Sequence, residues 1–172
     1  ISTYIHFVKE NVKSGGDIKY YDVDTKLLIR TTSDKIIASI DYNHYFALNS
    51  VNVGVPVNNN VPLEFLLAIL NSKLMEYWYR LTVQERNKTF AEVKIVYLER
   101  LPIKFNKILQ GQIVSCVSEL LSIKDFNNIH NVKIDELEKR IDNLIYKLYN
   151  LTYDEILIVD PQTMICREEY EM

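Results

Sequence analysis

The hydrophobic pattern of the chain changes period at Pro62, and that change most limits what it can fold into. Upstream, the β-branched runs 26–31 (KLLIRT) and 35–40 (KIIASI) flank the polar turn Thr32-Ser33-Asp34 and read as a hairpin or two adjacent strands. Residues 44–48 and 51–55 are two further strand candidates, separated by Asn49-Ser50. The stretch 56–60 (PVNNN) is loop chemistry, and Pro62 stands where a helix tolerates a missing N–H. From there to residue 81, Phe65, Leu66, Ile69, Leu70, Leu74, Tyr77 and Trp78 form a wide apolar stripe, which predicts a core helix. The polar run 82–89 (TVQERNKT) precedes a last strand candidate, 93–98, which Pro102 closes.

Beyond residue 107 the period is helical throughout, over 108–126 and 134–149, and Thr152-Tyr153-Asp154-Glu155 has the spacing of a capping box that starts a short final helix. The expectation is an α+β chain with a connecting segment over 1–20. A small mixed sheet with a core helix occupies 21–106, and a helical hairpin forms the tail over 107–172. At 172 residues the chain is long enough for one such unit to bury a core. Its first residue, Ile1, is not methionine, which suggests a fragment or a processed product.

Composition removes several function classes. Four glycines and four prolines leave no room for a GxGxxG or P-loop phosphate cradle. Cys116 and Cys166 stand far apart, and His6, His44 and His130 are isolated, so no zinc spacing and no disulfide framework can be read. There is no GxSxG or HExxH, no apolar run of the roughly 18 residues that a membrane span needs, and no signal peptide. A cytoplasmic location is the simplest expectation. Asp24-Thr25-Lys26 and Glu92-Val93-Lys94 can be stretched to the D/E-x-K pattern of metal nucleases, but such tripeptides arise by chance in a chain that is 25 % charged. No catalytic residue, metal or cofactor is assigned to the chain.

Charge is distributed unevenly. The overall net charge of -3 divides into -1 over residues 1–72, +4 over 73–107 and -6 over 108–172. Two polar loops carry phosphate- and base-binding side chains: Arg30, Thr31, Thr32 and Lys35 around the first turn, and Arg86, Asn87, Lys88 and Thr89 in the basic middle. Ordinary solvated turns share this composition, so alone it decides little.

A resemblance adds direction. The runs LLIRTTSDKIIASID, YFALNSVNVGVP, LEFLLAILNSKLMEYWYR and ERNKTFAEVKIVYLERLPI resemble, in order, the TaqI-type C-terminal specificity domain of adenine-specific DNA methyltransferases and of fused restriction-modification enzymes. The last two are also similar to type I restriction specificity subunits, and the tail LIYKLYNLTYDEILIVD is similar to the helical end of such enzymes. The resemblance implies a target-recognition domain that binds double-stranded DNA beside an N-terminal methyltransferase domain. That domain would hold S-adenosylmethionine and receive the flipped adenine at an Asn-Pro-Pro-aromatic motif, which this chain lacks. It also implies DNA-facing roles for Arg30, Thr31, Thr32, Lys35, Asn49, Ser50, Arg86, Asn87, Lys88 and Thr89. Asn71-Ser72, in a second "LNS" run, is expected to be mainly structural. The competing expectation is a protein-interaction module, or part of a type I specificity subunit, whose acidic tail docks another chain.

Overall fold

The computed structural model describes residues 17–57, 60–83, 92–124 and 132–172. Three short strands form its sheet: β1 (Lys26–Arg30), β2 (Ala38–Asp41) and β3 (Val51–Gly54). β1 lies in the middle and pairs antiparallel with both others, matching Lys26 with Asp41 and Arg30 with Val51. The α+β class is as expected, although every described pairing is antiparallel and the sheet is not mixed. Side chains alternate along a strand, so Leu27 and Ile29 enter the core while Lys26, Leu28 and Arg30 point to the opposite face.

β2 starts later than the apolar run implies, because Ile36 turns inward to become core, and Arg30 N donates to Ile37 O at 2.9 Å. The strand expected over 44–48 does not form. The Asp41 carboxylate accepts from the amides of Asn43 and Tyr45, both at 2.8 Å, and His44 takes a left-handed φ of 56°. A side chain that captures local amides in this way competes directly with strand pairing. The chain therefore leaves β2 as a loop that must pass from one edge of the sheet to the other before β3 begins.

The core helix is two helices, α1 (Leu63–Asn71) and α2 (Lys73–Thr82), divided at Ser72. Ser72 is extended, its Oγ accepts from Met75 N at 3.1 Å, and the same hydroxyl donates to Ile69 O at 2.7 Å. One small residue thus ends the first helix and caps the second. Asn71 beside it bonds the outer edge of β2 twice: Ala38 N donates to its Oδ1 at 2.9 Å and its Nδ2 donates to Ala38 O at 3.0 Å. The amide imitates a neighbouring strand and closes an edge that would otherwise be free. Asn71→Ala should cost about 1–2 kcal/mol in urea unfolding, and Asn71→Asp, which keeps the acceptor but loses the donor, should not recover the whole loss.

Residues 93–98 are not a strand. Val93 N donates to Thr31 O at 2.7 Å and Glu92 bridges Thr32, but the chain then turns into the four-residue helix α3 (Ile95–Leu98). Tyr97 sets its ring edge-on to Tyr79 with centroids 6.2 Å apart, so packing overrides the β propensity of Ile95 and Val96.

Helices α4 (Lys107–Lys124) and α5 (Val132–Tyr149) pack on one another, and α4 also packs on α1. Leu27, Phe65, Ile69, Ile113, Val117, Ile141 and Ile145 belong to one buried cluster, so the core runs unbroken from the sheet into the tail. Tyr149 strengthens that junction by donating its hydroxyl to Pro102 O at 2.6 Å. Asn150 then reverses the chain at a φ of 58°. The anticipated capping box is complete at Thr152 and Glu155 and opens α6 (Tyr153–Val159). A further short helix, α7 (Arg167–Glu171), has no clear sequence signal. It is seated by a second small core of Tyr146, Ile156, Ile165 and Tyr170, with Tyr170 OH donating to Leu151 O at 2.6 Å.

Candidate functional site

The end of β1 gathers most of the described site candidates. Thr31 N donates to Ser50 O at 2.9 Å and Thr31 Oγ1 to Asn49 O at 3.3 Å, which draws the 48–50 turn against the first loop. On the other side of Thr31, Val93 is held by its amide bond and by Asn52 Nδ2, which donates to Val93 O at 3.3 Å. Tyr79 OH adds a bond to Glu92 O at 3.2 Å. Backbone groups carry nearly all of this network. The side chains of Arg30, Thr32, Asn49 and Ser50 are exposed, and none of them hydrogen-bonds or ion-pairs with another described residue. A rigid rim therefore presents uncommitted polar groups, the arrangement in which a scaffold supports recognition side chains.

Lys35 and Thr31 differ from these four. Thr31 commits its hydroxyl to the neighbouring turn. Lys35 Nζ donates to Glu76 Oε2 at 3.3 Å, Glu76 Oε1 takes Arg80 Nη2 at 2.7 Å, and Arg80 approaches Asp34 at 3.9 Å. Two cations face two anions, so this cluster braces the 31–37 loop on α2 and contributes little net positive potential. The i,i+4 spacing of Glu76 and Arg80 was readable in sequence, but the approach of Lys35 and Asp34 was not. Arg86, Asn87, Lys88 and Thr89 lie outside the described residues. The residues on either side of them are fixed: Val83 is buried and its amide bonds Tyr79 O at 2.9 Å, while Glu92 bridges Thr32 on the rim.

Beneath the opposite end of β1 lies a group that sequence reasoning missed. Lys26 Nζ sits 2.6 Å from Asp41 Oδ2, with both side chains shielded from solvent, and it also donates to Tyr21 O at 3.1 Å. Burial alone would raise the Asp41 pKa, but the Lys26 ammonium and the Asn43 and Tyr45 amides outweigh it and hold the carboxyl below its ordinary range. Tyr21 stacks on Phe46 at 5.2 Å nearby. The ion pair thus anchors the start of the crossing loop whose far end is Asn49-Ser50. Lys26 serves Asp41 rather than forming a metal cluster with Asp24, and no group of three or more potential metal ligands occurs among the described residues.

A small sheet braced by helices, with polar side chains held available at one end, defines a recognition module. Residues 1–103 match the family model of the TaqI-like C-terminal specificity domain, and the chain belongs to that family. Its role is DNA recognition in the restriction-modification setting, as a specificity domain. No curated protein matches the chain. None of its described helices is long and apolar enough to cross a membrane.

Proposed function

We propose that the chain reads a specific sequence in double-stranded DNA and thereby positions a separate S-adenosylmethionine-dependent adenine methyltransferase domain on its target. The rim at the end of β1 supports this reading most directly, since Arg30, Thr32, Asn49 and Ser50 offer exposed donors and acceptors on a fixed backbone. Arg30 suits a bidentate contact to guanine or a phosphate, and Asn49 suits adenine. Arg86, Asn87, Lys88 and Thr89, between Val83 and Glu92 in the chain, add a second set of reading side chains, and Lys35 acts chiefly as a brace. The chain supplies the reader, while cofactor and catalysis belong to the methyltransferase domain. Base flipping fits this division, because chemistry on an extruded adenine needs the protein to hold register on the surrounding duplex.

Salt-dependent binding to the cognate duplex tests the assignment. Arg30→Ala should either lower the slope of log K against log salt by about one, if it neutralises a phosphate, or relax selectivity at one base pair with a loss of about 1–3 kcal/mol. Arg86→Ala with Lys88→Ala should lower the slope by about one for each phosphate left without its cation, and Lys35→Ala should change it less than Arg30→Ala does. Unchanged affinity, slope and selectivity in Arg30→Ala would remove the rim from the DNA interface.

A further inference from the structure

Residues 93–107 join the rim to the helical tail, and the structure fixes them at both ends. Val93 N donates to Thr31 O at 2.7 Å and Val93 O accepts from Asn52 Nδ2 at 3.3 Å, so Lys94 leaves directly from the rim. Toward the other end, Tyr149 OH donates to Pro102 O at 2.6 Å and accepts from Lys104 N at 3.4 Å, and the Phe105 ring lies against Phe65 in the first turn of α1, with centroids 5.8 Å apart. Between these anchors Leu98, Leu101 and Ile103 pack inward on the main core, which turns Arg100 and Lys104 outward. The segment is a ridge with a fixed backbone. It runs from the rim to the start of α1, which lies beside Thr25 at the opposite end of β1.

Its exposed charges are of one sign. Lys94, Arg100, Lys104 and Lys107 stand along it against a single acid, Glu99. Arg100 and Lys107 have no ion pair with any described residue. Lys104 Nζ donates at 2.7 Å to the side-chain oxygen of Asn150, once that amide is oriented with its oxygen toward the ammonium, and this neutral partner leaves the charge uncompensated. The contrast with Lys35 and Arg80 is direct, since carboxylates of α2 and the 31–37 loop cancel those two cations. A row of uncompensated cations attracts a polyanion and gains free energy by releasing its counterions. Lysine is depleted in protein interfaces, so a ridge built mainly of lysine suits a nucleic acid better than a protein partner. The chain belongs to a family of specificity domains that recognise DNA, which supplies the polyanion, although Lys104 and Lys107 lie beyond residue 103, where the family match ends.

We infer that this ridge is a second DNA contact, in which Arg100, Lys104 and Lys107 hold the phosphate backbone of the duplex whose bases the rim reads. The inference rests on the DNA-reading role proposed above and adds a different task to it. Arg100 brings a planar fork that pairs two phosphate oxygens, and the two lysines act as point charges. Phosphate contacts carry no sequence information but fix register and orientation, so the ridge aligns the duplex while selectivity stays with the rim.

Binding of the full chain to a duplex of mixed sequence, titrated with salt from low ionic strength, tests the ridge. Combining Arg100→Gln, Lys104→Gln and Lys107→Gln should lower the slope of log K against log salt by about 2–3, close to 0.9 for each phosphate released. Because Lys104 touches Asn150, the pair Arg100→Gln with Lys107→Gln leaves that bond in place and should lower the slope by about 2. Lys133→Gln, Arg140→Gln and Lys147→Gln together remove the same formal charge from α5 and should change it by less than about one. The charge-keeping set Arg100→Lys, Lys104→Arg and Lys107→Arg should keep the wild-type slope. An unchanged slope in the ridge variants, or an equal fall in the α5 set, would overturn the proposal, the first by assigning these cations to some other partner and the second by reducing the effect to net charge. Arg30→Ala on the same duplex separates the two readings. If it alters binding while the ridge variants do not, the ridge fails and the rim stands; if the wild-type chain binds no duplex, both fail.

Discussion

Lys26→Met is expected to lower the unfolding free energy by about 3–5 kcal/mol, among the largest effects of any single substitution in this chain. The cost comes from the group left behind. With Lys26 gone, Asp41 keeps a carboxylate that is buried at the edge of the sheet and retains only the Asn43 and Tyr45 amides. It must then take up a proton or stay charged without a counterion. Replacing both partners, as Lys26→Met with Asp41→Leu, should recover part of the loss, but those two amides lose their acceptor and the loop toward Asn49-Ser50 loosens. Urea unfolding of the two variants measures the difference.

The same pair has a pH signature with a definite sign. In the wild type the Asp41 pKa lies below its ordinary value of 3.8, so its contribution is present above about 3.8 and fades as the pH falls through the lower folded value. In Lys26→Met the balance is expected to move toward burial, which then is opposed only by the Asn43 and Tyr45 amides. The Asp41 contribution should then improve as the pH falls. A variant that loses stability equally at every pH would show that the ion pair is not the source of the effect.

Asp142→Asn is expected to do the opposite and stabilise the chain at neutral pH, by about 2–3 kcal/mol. Burial on α5 pushes the Asp142 pKa from 3.8 up to about 6, with further repulsion from Asp160 and Glu138, while the Lys73 amide and ammonium pull it down. A raised carboxyl pKa means that the folded state holds a proton the unfolded state has released. Stability therefore declines as the pH rises from about 4 to about 6 and stays lower above that. Asparagine keeps an oxygen toward Lys73 but carries no charge, so the decline should vanish. Thermal melts of both proteins between about pH 3.5 and 7 should converge at the acid end and separate at the neutral end. Parallel curves would mean that Asp142 is ionised without penalty. Because Lys73 opens α2, and α2 carries the Glu76–Arg80 brace of the 31–37 loop, a firmer seat for this helix should leave the rim intact.

Much of the architecture was legible because local chemistry and tertiary demand agree there. The β-branched 26–31 run is a strand, Val51–Gly54 is a strand, and the capping box at Thr152 starts a helix as its spacing requires. Asn71 and Ser72 are structural, as the "LNS" pattern implied, although the bonding of Asn71 to Ala38 across 33 residues could not be seen along the chain. Legibility failed where side chains in space outvoted propensity. Asp41 captured two amides and abolished the 44–48 strand. Ser72 split a continuous apolar stripe, and the Tyr79–Tyr97 contact favoured a helical turn over a strand at 95–98.

The candidate residues divide along the same line. Residue type singled out Arg30 and Thr32, and the resemblance added Asn49 and Ser50, but only pairing with β1 brings Asn49-Ser50 to Thr31. Sequence could not tell Arg30 from Lys35, two cations around one turn. Folding places Lys35 on Glu76 and leaves Arg30 without an ionic partner among the described residues. Net charge per segment was equally blind to the buried Lys26–Asp41 pair, which carries two formal charges and no net one.

By itself, then, the sequence determined the class of the chain: hydrophobic periods gave an α+β unit with a helical tail, and the order of its motifs carried the resemblance to a specificity domain. Those properties are local, resting on neighbours within a few positions. The tertiary structure decided which polar groups are committed to one another and which remain available, because that depends on groups far apart in the chain meeting in a medium where an unpaired charge is costly. It also joined the tail to the sheet through one core, since an apolar face is satisfied by whichever partner buries it and the pattern alone names no partner.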